Sequence, residues 1–275
     1  MRYRFVMGRL AVAVALSVLC LACGSADARP PSGGDGGSSS GASVRTGSGS
    51  SSGSGSSSGS DGDVGFGASY SGQYNLGPVD WQESQWHNAC APYPASVEVE
   101  EGNLLAGLNT QHIDGGRLCD ACVLIQGTNG KSVVARVVTY GSTGPNDIDV
   151  SAEVCTALAG TADCNVFPRD MTWQFAKCPT TGSIHYEFQT QANVYWTSFW
   201  VRNERMPLAK VEVRSQNHGS WTALSWGTDG TLTDAGGFGT GPFSIRLTAT
   251  DGQEVTDTFP SFNAGDLLTS TGQFQ

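Results

Sequence analysis

Tyr195-Trp196-Thr197-Ser198-Phe199-Trp200-Val201-Arg202 decides how the second half of the chain is read. Aromatic and β-branched residues dominate it, so it reads as a strand. Side chains of a strand alternate between its two faces. Thr197, Phe199 and Val201 then face a core, while Trp196, Ser198, Trp200 and Arg202 face the other way. The two tryptophans lie roughly 13 Å apart along such a strand. Flat rings at that spacing suit the flat faces of sugars. The competing reading is that a neighbouring strand or domain covers one or both rings, because tryptophan is mostly buried.

The same alternation continues on both sides. Ile184, Tyr186 and Phe188 alternate with His185, Glu187 and Gln189, and the runs Lys210 to Arg214 and Phe243 to Thr248 do likewise. Several such strands within residues 180–275, a block without cysteine, read as a β-sandwich. Residues 67–179 read as short strands and turns. Val123-Leu124-Ile125 and the run Val133 to Val138 flank Thr128-Asn129-Gly130, a hairpin signal. One helix is expected from Ser151 to Leu158, with Ser151 as N-cap, Glu153 in the first turn and Gly160 past the end. The fold class is all-β, and the boundary between the blocks falls near Pro179-Thr180-Thr181-Gly182.

Residues 1–22 read as a signal peptide. Arg2, Arg4 and Arg9 precede an apolar run, Leu10 to Ala22, that is too short for a membrane span. Two cleavage readings stand. Leu21-Ala22-Cys23-Gly24 resembles a lipoprotein box, which would acylate Cys23; an ordinary cut would fall near Ala26 or Ala28. Residues 23–66 are rich in Gly and Ser. Such a stretch buries too little apolar surface to offset its ordering entropy and reads as a flexible linker.

Of the eight cysteines, Cys90, Cys119, Cys122, Cys155, Cys164 and Cys178 remain for the exported fold. An even number in an exported chain reads as a disulfide set, and spacing alone leaves the pairing open. Cys119-Asp120-Ala121-Cys122 lacks the matching half of a zinc site, so neither metal nor cofactor is expected. Net charge is −10 and no stretch concentrates Lys or Arg. Nucleic acid is therefore excluded as a partner. Strongly anionic polymers are expected to bind poorly at low salt. Asp149 follows a Gly/Pro loop and precedes the helix, where a carboxylate either meets a ligand or caps the helix. Tyr140 either bonds to a sugar or packs.

From about Ala68 onward the chain resembles the bacterial expansins. Four motifs carry the likeness: Ala68-Ser69-Tyr70-Ser71-Gly72; Ile148-Asp149-Val150-Ser151; Trp200-Val201-Arg202-Asn203 with Pro207 and Lys210; and Gly239-Thr240-Gly241 with Thr258-Phe259-Pro260. The resemblance implies a six-stranded double-psi β-barrel followed by an immunoglobulin-like β-sandwich that binds cellulose or another β-glucan. It further implies a monomer, secreted or held at a bacterial outer membrane, that loosens cell-wall polysaccharide without hydrolysis. By that likeness Cys90 pairs with Cys119 and Cys122 with Cys178, leaving Cys155 for Cys164. Asp149, Ser69 and Tyr140 match the polysaccharide groove of the barrel. Tyr195 and Trp196 match the paired aromatics of the sandwich, Trp226 stands for the third, and Trp200 extends them. Val138 occupies the position of a second groove aspartate. Two alternatives accompany this reading: a purely binding surface protein, and an endoglucanase with Asp149 as its acid.

Overall fold

The computed structural model describes residues 67–77, 89–93, 102–164 and 168–275. The expected signal peptide, the linker and Cys23 lie outside the described residues.

Six strands close into a barrel: β1 Tyr70–Leu76, β2 Leu105–Asn109, β3 Cys122–Gly127, β4 Ser132–Gly141, β5 Ile148–Val150 and β6 Asp170–Ala176. Their order around the barrel is β1-β5-β2-β4-β3-β6. The β1·β5 and β2·β4 pairs are parallel and the other four are antiparallel. Side chains alternating inward, among them Val123, Ile125, Ala135, Val137, Trp173 and Phe175, fill the interior. The β3–β4 hairpin turns where Asn129 Oδ1 accepts the Lys131 N–H at 3.0 Å. The helix, α1, runs Ala152–Ala159, with Ser151 Oγ capping the Val154 N–H and Gly160 ending it in the left-handed region. Val154, Cys155 and Leu158 seat it on the barrel.

Nine strands follow. Four form one sheet in the order β10-β9-β13-β14: β9 Leu208–Arg214, β10 Thr222–Ala223, β13 Phe243–Ala249 and β14 Glu254–Phe259. Five form the other in the order β11-β12-β8-β7-β15: β7 His185–Phe188, β8 Thr197–Arg202, β11 Ser225–Trp226, β12 Leu232–Asp234 and β15 Leu267–Thr269. Phe188, Phe199, Phe238, Phe243 and Phe262 interlock between the sheets at ring separations of 4.4–6.0 Å. The fold is all-β, a barrel and a sandwich.

Disulfides join Cys90 to Cys119, Cys122 to Cys178 and Cys155 to Cys164, with Cα atoms 5.3–5.5 Å apart. Among the described residues no group of three His, Cys, Asp or Glu is placed to hold a metal.

The two halves meet through buried polar contacts. Arg202 of β8 pairs with Asp120, beside the barrel, at 2.7 Å and with Glu187 of β7 at 2.8 Å. It also donates to the carbonyls of Ala91 and Pro92. The Tyr93 hydroxyl accepts the Asn203 N–H at 2.6 Å. Arg117 donates to the Leu208 carbonyl at 2.6 Å. Burial opposes the charge of Arg202, but Asp120 and Glu187 more than offset it and raise its pKa further.

Candidate functional site

Asp149 is the middle residue of β5, between Asn75 of β1 and Gly107 of β2. Ile148 and Val150 on either side are fully buried, so the strand alternation turns Asp149 away from the barrel interior. Its carboxylate is half-buried, and no side-chain hydrogen bond reaches it among the described residues. Gly77 passes so close that a Cβ there would lie 2.5 Å from the Asp149 Cβ. Burial first, and the Asp147 charge second, raise its pKa above the ordinary aspartate range. The helix cap is Ser151, so Asp149 has no capping duty.

Asp147 is already engaged. Its Oδ1 accepts the Gln73 N–H at 2.8 Å and its carbonyl accepts the Thr143 hydroxyl. Leu76, half-exposed at the end of β1, pairs with Val150 and so lies on the opposite strand face from Asp149.

Tyr140 of β4 leans on the barrel core and donates its hydroxyl to the Thr228 carbonyl at 2.8 Å. The loop between β11 and β12 thus reaches the barrel at Tyr140. Ser69 is exposed just before β1, six residues from Asn75, the partner of Asp149. Roughly 20 Å of extended chain separates those two positions, so Ser69 lies well up the strand from Asp149. Val138 is the extra residue of a β-bulge. Ala106 pairs with Val137 and Gly107 with Thr139, which leaves Val138 unpaired and its side chain buried. Thr139 Oγ1 is taken by the Ala89 N–H.

On the sandwich, Tyr195 is 78% exposed, more than any other large hydrophobic residue among those described. An Asx turn presents it: Asn193 Oδ1 accepts the N–H of Tyr195 at 2.9 Å and of Trp196 at 3.2 Å. Trp196 closes the bridge to Asn193 and stays half-exposed as β8 begins.

The other two aromatic candidates, Trp200 and Trp226, are partly covered. The face carrying Ser198, Trp200 and Arg202 is largely covered, because the barrel side of the junction lies over its Arg202 end. Ser198 and Arg202 are fully buried. Trp200 is half-buried, with the Arg202 guanidinium 5.1 Å from its ring centre and its indole N–H shut off from solvent. Trp226 pairs with Leu232, which pairs with Phe199. Directly paired residues share a face, and both partners are core. Trp226 therefore packs at the edge of the sandwich core and does not join Trp196 on the outer face. It sits two residues before Thr228, close to the Tyr140 contact.

No protein-family model matches the chain. Among curated proteins, Expansin-YoaJ of Bacillus subtilis is 25% identical over 169 residues, which is 62% of this chain and 69% of that protein. Expansin-like protein 6 of Dictyostelium discoideum is 19% identical over 201 residues, 70% of this chain and 69% of that one. The crystal structure of apo Clavibacter michiganensis expansin superposes with a TM-score of 0.63 at 16% identity, covering 76% of this chain and 98% of that one. This chain is expansin-like. A mutant of the Clavibacter expansin solved in complex with cellohexaose superposes equally well, with a TM-score of 0.62 at 15% identity. The expansin-like fold accounts for the closed six-stranded barrel and the sandwich that follows it.

Proposed function

We propose that this expansin-like chain binds cellulose or a related β-glucan of cell walls and loosens it without cutting a bond. The observation that carries the proposal is Asp149, a half-buried carboxylate that no protein group engages among the described residues. Such a group is poised to accept hydrogen bonds from sugar hydroxyls. The cellohexaose complex of the structural relative supports the same ligand class. In this reading Tyr195 and Trp196 stack the glucan on the sandwich, with the exposed part of Trp200 as a margin. Asp149 and Tyr140 hold it at the barrel. Ser69 lies farther along the groove.

Hydrolysis with inversion needs an acid and a base about 6.5–9.5 Å apart across the sugar. Asp147 lies on the same side as Asp149, two residues away, and is occupied by Gln73. Val138, the expected place of a second groove carboxylate, is apolar and buried. The proposal therefore contains no hydrolytic step. Three disulfides fit an oxidising compartment outside the cytoplasm. We assign residues 67–179 to the barrel domain and 180–275 to the sandwich domain of a monomer, exported by residues 1–22, with Cys23 as the candidate lipid anchor.

Two variants separate binding from loosening. Trp196→Ala is expected to weaken crystalline-cellulose binding by about 5- to 150-fold, since stacking contributes about 1–3 kcal/mol per ring by analogy with bases. Asp149→Asn is expected to bind normally and fail to weaken cellulose paper. Unchanged pull-down for Trp196→Ala would sink the platform. The bulged, apolar Val138 favours a second reading, in which the protein only binds. Wild type that binds paper without weakening it would establish that reading, and reducing-sugar release abolished in Asp149→Asn would establish hydrolysis.

A further inference from the structure

Four consecutive residues, 109–112, end β2 and form the 3-10 turn Thr110–His112 that follows it. All four hold the segment that leads from β4 into β5. Asn109 Nδ2 donates to the Thr143 carbonyl at 2.7 Å, and the Thr110 hydroxyl donates to the Gly141 carbonyl at 3.0 Å. Gln111 Nε2 and His112 Nε2 converge on the Pro145 carbonyl, His112 at 2.8 Å. A carbonyl oxygen only accepts, so His112 Nε2 carries a proton there. Its second acceptor is Asn146 Oδ1 at 3.1 Å. The loop held in this way, residues 142–147, ends on Asp147 and runs straight into β5 and Asp149.

Thr110 and Gln111 are exposed and Asn109 is half-exposed, but His112 is buried. Its ring stands edge-on to Tyr70 at 4.6 Å and to Trp173 at 4.9 Å, and those two rings stack on each other. Trp173 also donates its indole N–H to the Asn146 carbonyl at 2.8 Å. Strand β1 closes the other side of the loop. A Cβ on Gly72 would run into the same Asn146 carbonyl and lie 2.9 Å from Asp147 Oδ1. Asp149 is held differently, by ladder register with Asn75 and Gly107. A freed loop would carry Asp147 away and leave Asp149 where it is. Other charged groups on the neighbouring elements are engaged elsewhere. Arg169 donates to Asn75 at 2.6 Å, Asp170 accepts from Gln73 Nε2 at 3.0 Å, and Glu153 of α1 accepts from Asn103.

We propose that residues 109–112 clamp the β4–β5 loop, and that the buried member, His112, is a positioning residue that keeps the Asp147 carboxylate beside Asp149. The inference rests on the reading of Asp149 as the groove carboxylate. His112 touches no sugar and acts through Asp147. The Asp147 charge is the second of the two causes that raise the pKa of Asp149, after burial. A like charge close by disfavours ionisation. The clamp therefore sets how readily the groove carboxylate gives up its proton. Ionised, that group only accepts hydrogen bonds from a glucan; protonated, it also donates one.

Carbon-13 NMR of the side-chain carboxyls, followed through the carboxylate range, reads the Asp149 midpoint in the protein without cellulose. Asp147→Asn should lower that midpoint. His112→Phe keeps a ring against Tyr70 and Trp173 but loses the N–H, and should shift the midpoint the same way. His112→Gln keeps an amide donor and should stay closer to wild type. The double variant His112→Phe with Asp147→Asn should fall no further than Asp147→Asn alone. Asn109→Ala combined with Gln111→Ala changes only the outer part of the clamp. It should also lower the midpoint, and it takes the place of His112→Phe if that variant does not fold. An unchanged midpoint in Asp147→Asn or in the clamp variant would overturn the proposal. So would an equal fall in His112→Gln and His112→Phe, because lost packing would then explain both, or full additivity with Asp147→Asn. The titration needs no ligand, so wild type that fails to weaken paper would count against loosening and not against the clamp.

Discussion

Asp149 shows how one side chain links stability to pH. Burial and Asp147 raise its pKa, so the folded protein keeps this proton at a pH where the unfolded chain has released it. Stability rises with pH only where the unfolded state binds more protons, and here it binds fewer. The contribution from Asp149 is therefore present below the ordinary aspartate value, about 4, and is lost as pH climbs through the folded value. Asp149→Asn removes this penalty. Its melting temperature should gain on wild type as pH rises from about 3 to 7. A difference that is constant across that range would show that Asp149 is not desolvated.

Among the elements, the close approach of the 3-10 turn Asp114–Gly116 to the β11–β12 loop is the most demanding. Gly116 has φ +103°, and a Cβ there would run into the backbone of Gly227 and Thr228. Gly115, with φ +63°, has nothing nearby. Gly115→Ala should cost about 1 kcal/mol for its left-handed backbone alone. Gly116→Ala should cost clearly more, read as a larger fall in the urea midpoint. Equal costs would mean that the two halves do not press together at this turn. Elements set by local chemistry were legible in the sequence: the Thr128-Asn129-Gly130 hairpin, and α1 between Ser151 and Gly160. Val138 was not, because a bulge depends on the register with β2, a partner about thirty residues earlier. Ser198 and Arg202 lie on the face the alternation assigns them, but their burial was not legible for a related reason. Alternation shows that a strand has two faces, but not which neighbour covers the polar one.

For the whole molecule, Arg202 is the central tie. It joins Asp120 and Glu187, lies 4.8 Å from the Tyr93 ring centre and is almost wholly buried. Removing one member of a buried ion pair typically costs about 3–5 kcal/mol, because the remaining charge is left uncompensated. Arg202→Met should lower stability to urea by that amount. A loss under about 1 kcal/mol would show that water reaches the junction.

The disulfides have a mechanical consequence. Cys90–Cys119 and Cys122–Cys178 bypass 29 and 56 residues of chain, and Cys155–Cys164 lies inside the longer loop. Tension applied along the backbone runs through the sulfur bridges and spares everything between them, including β5 and Asp149. At about 3.5 Å per residue, roughly 300 Å of contour stays locked away. The sandwich has no such shortcut, so under load it is the part that can pay out its full length.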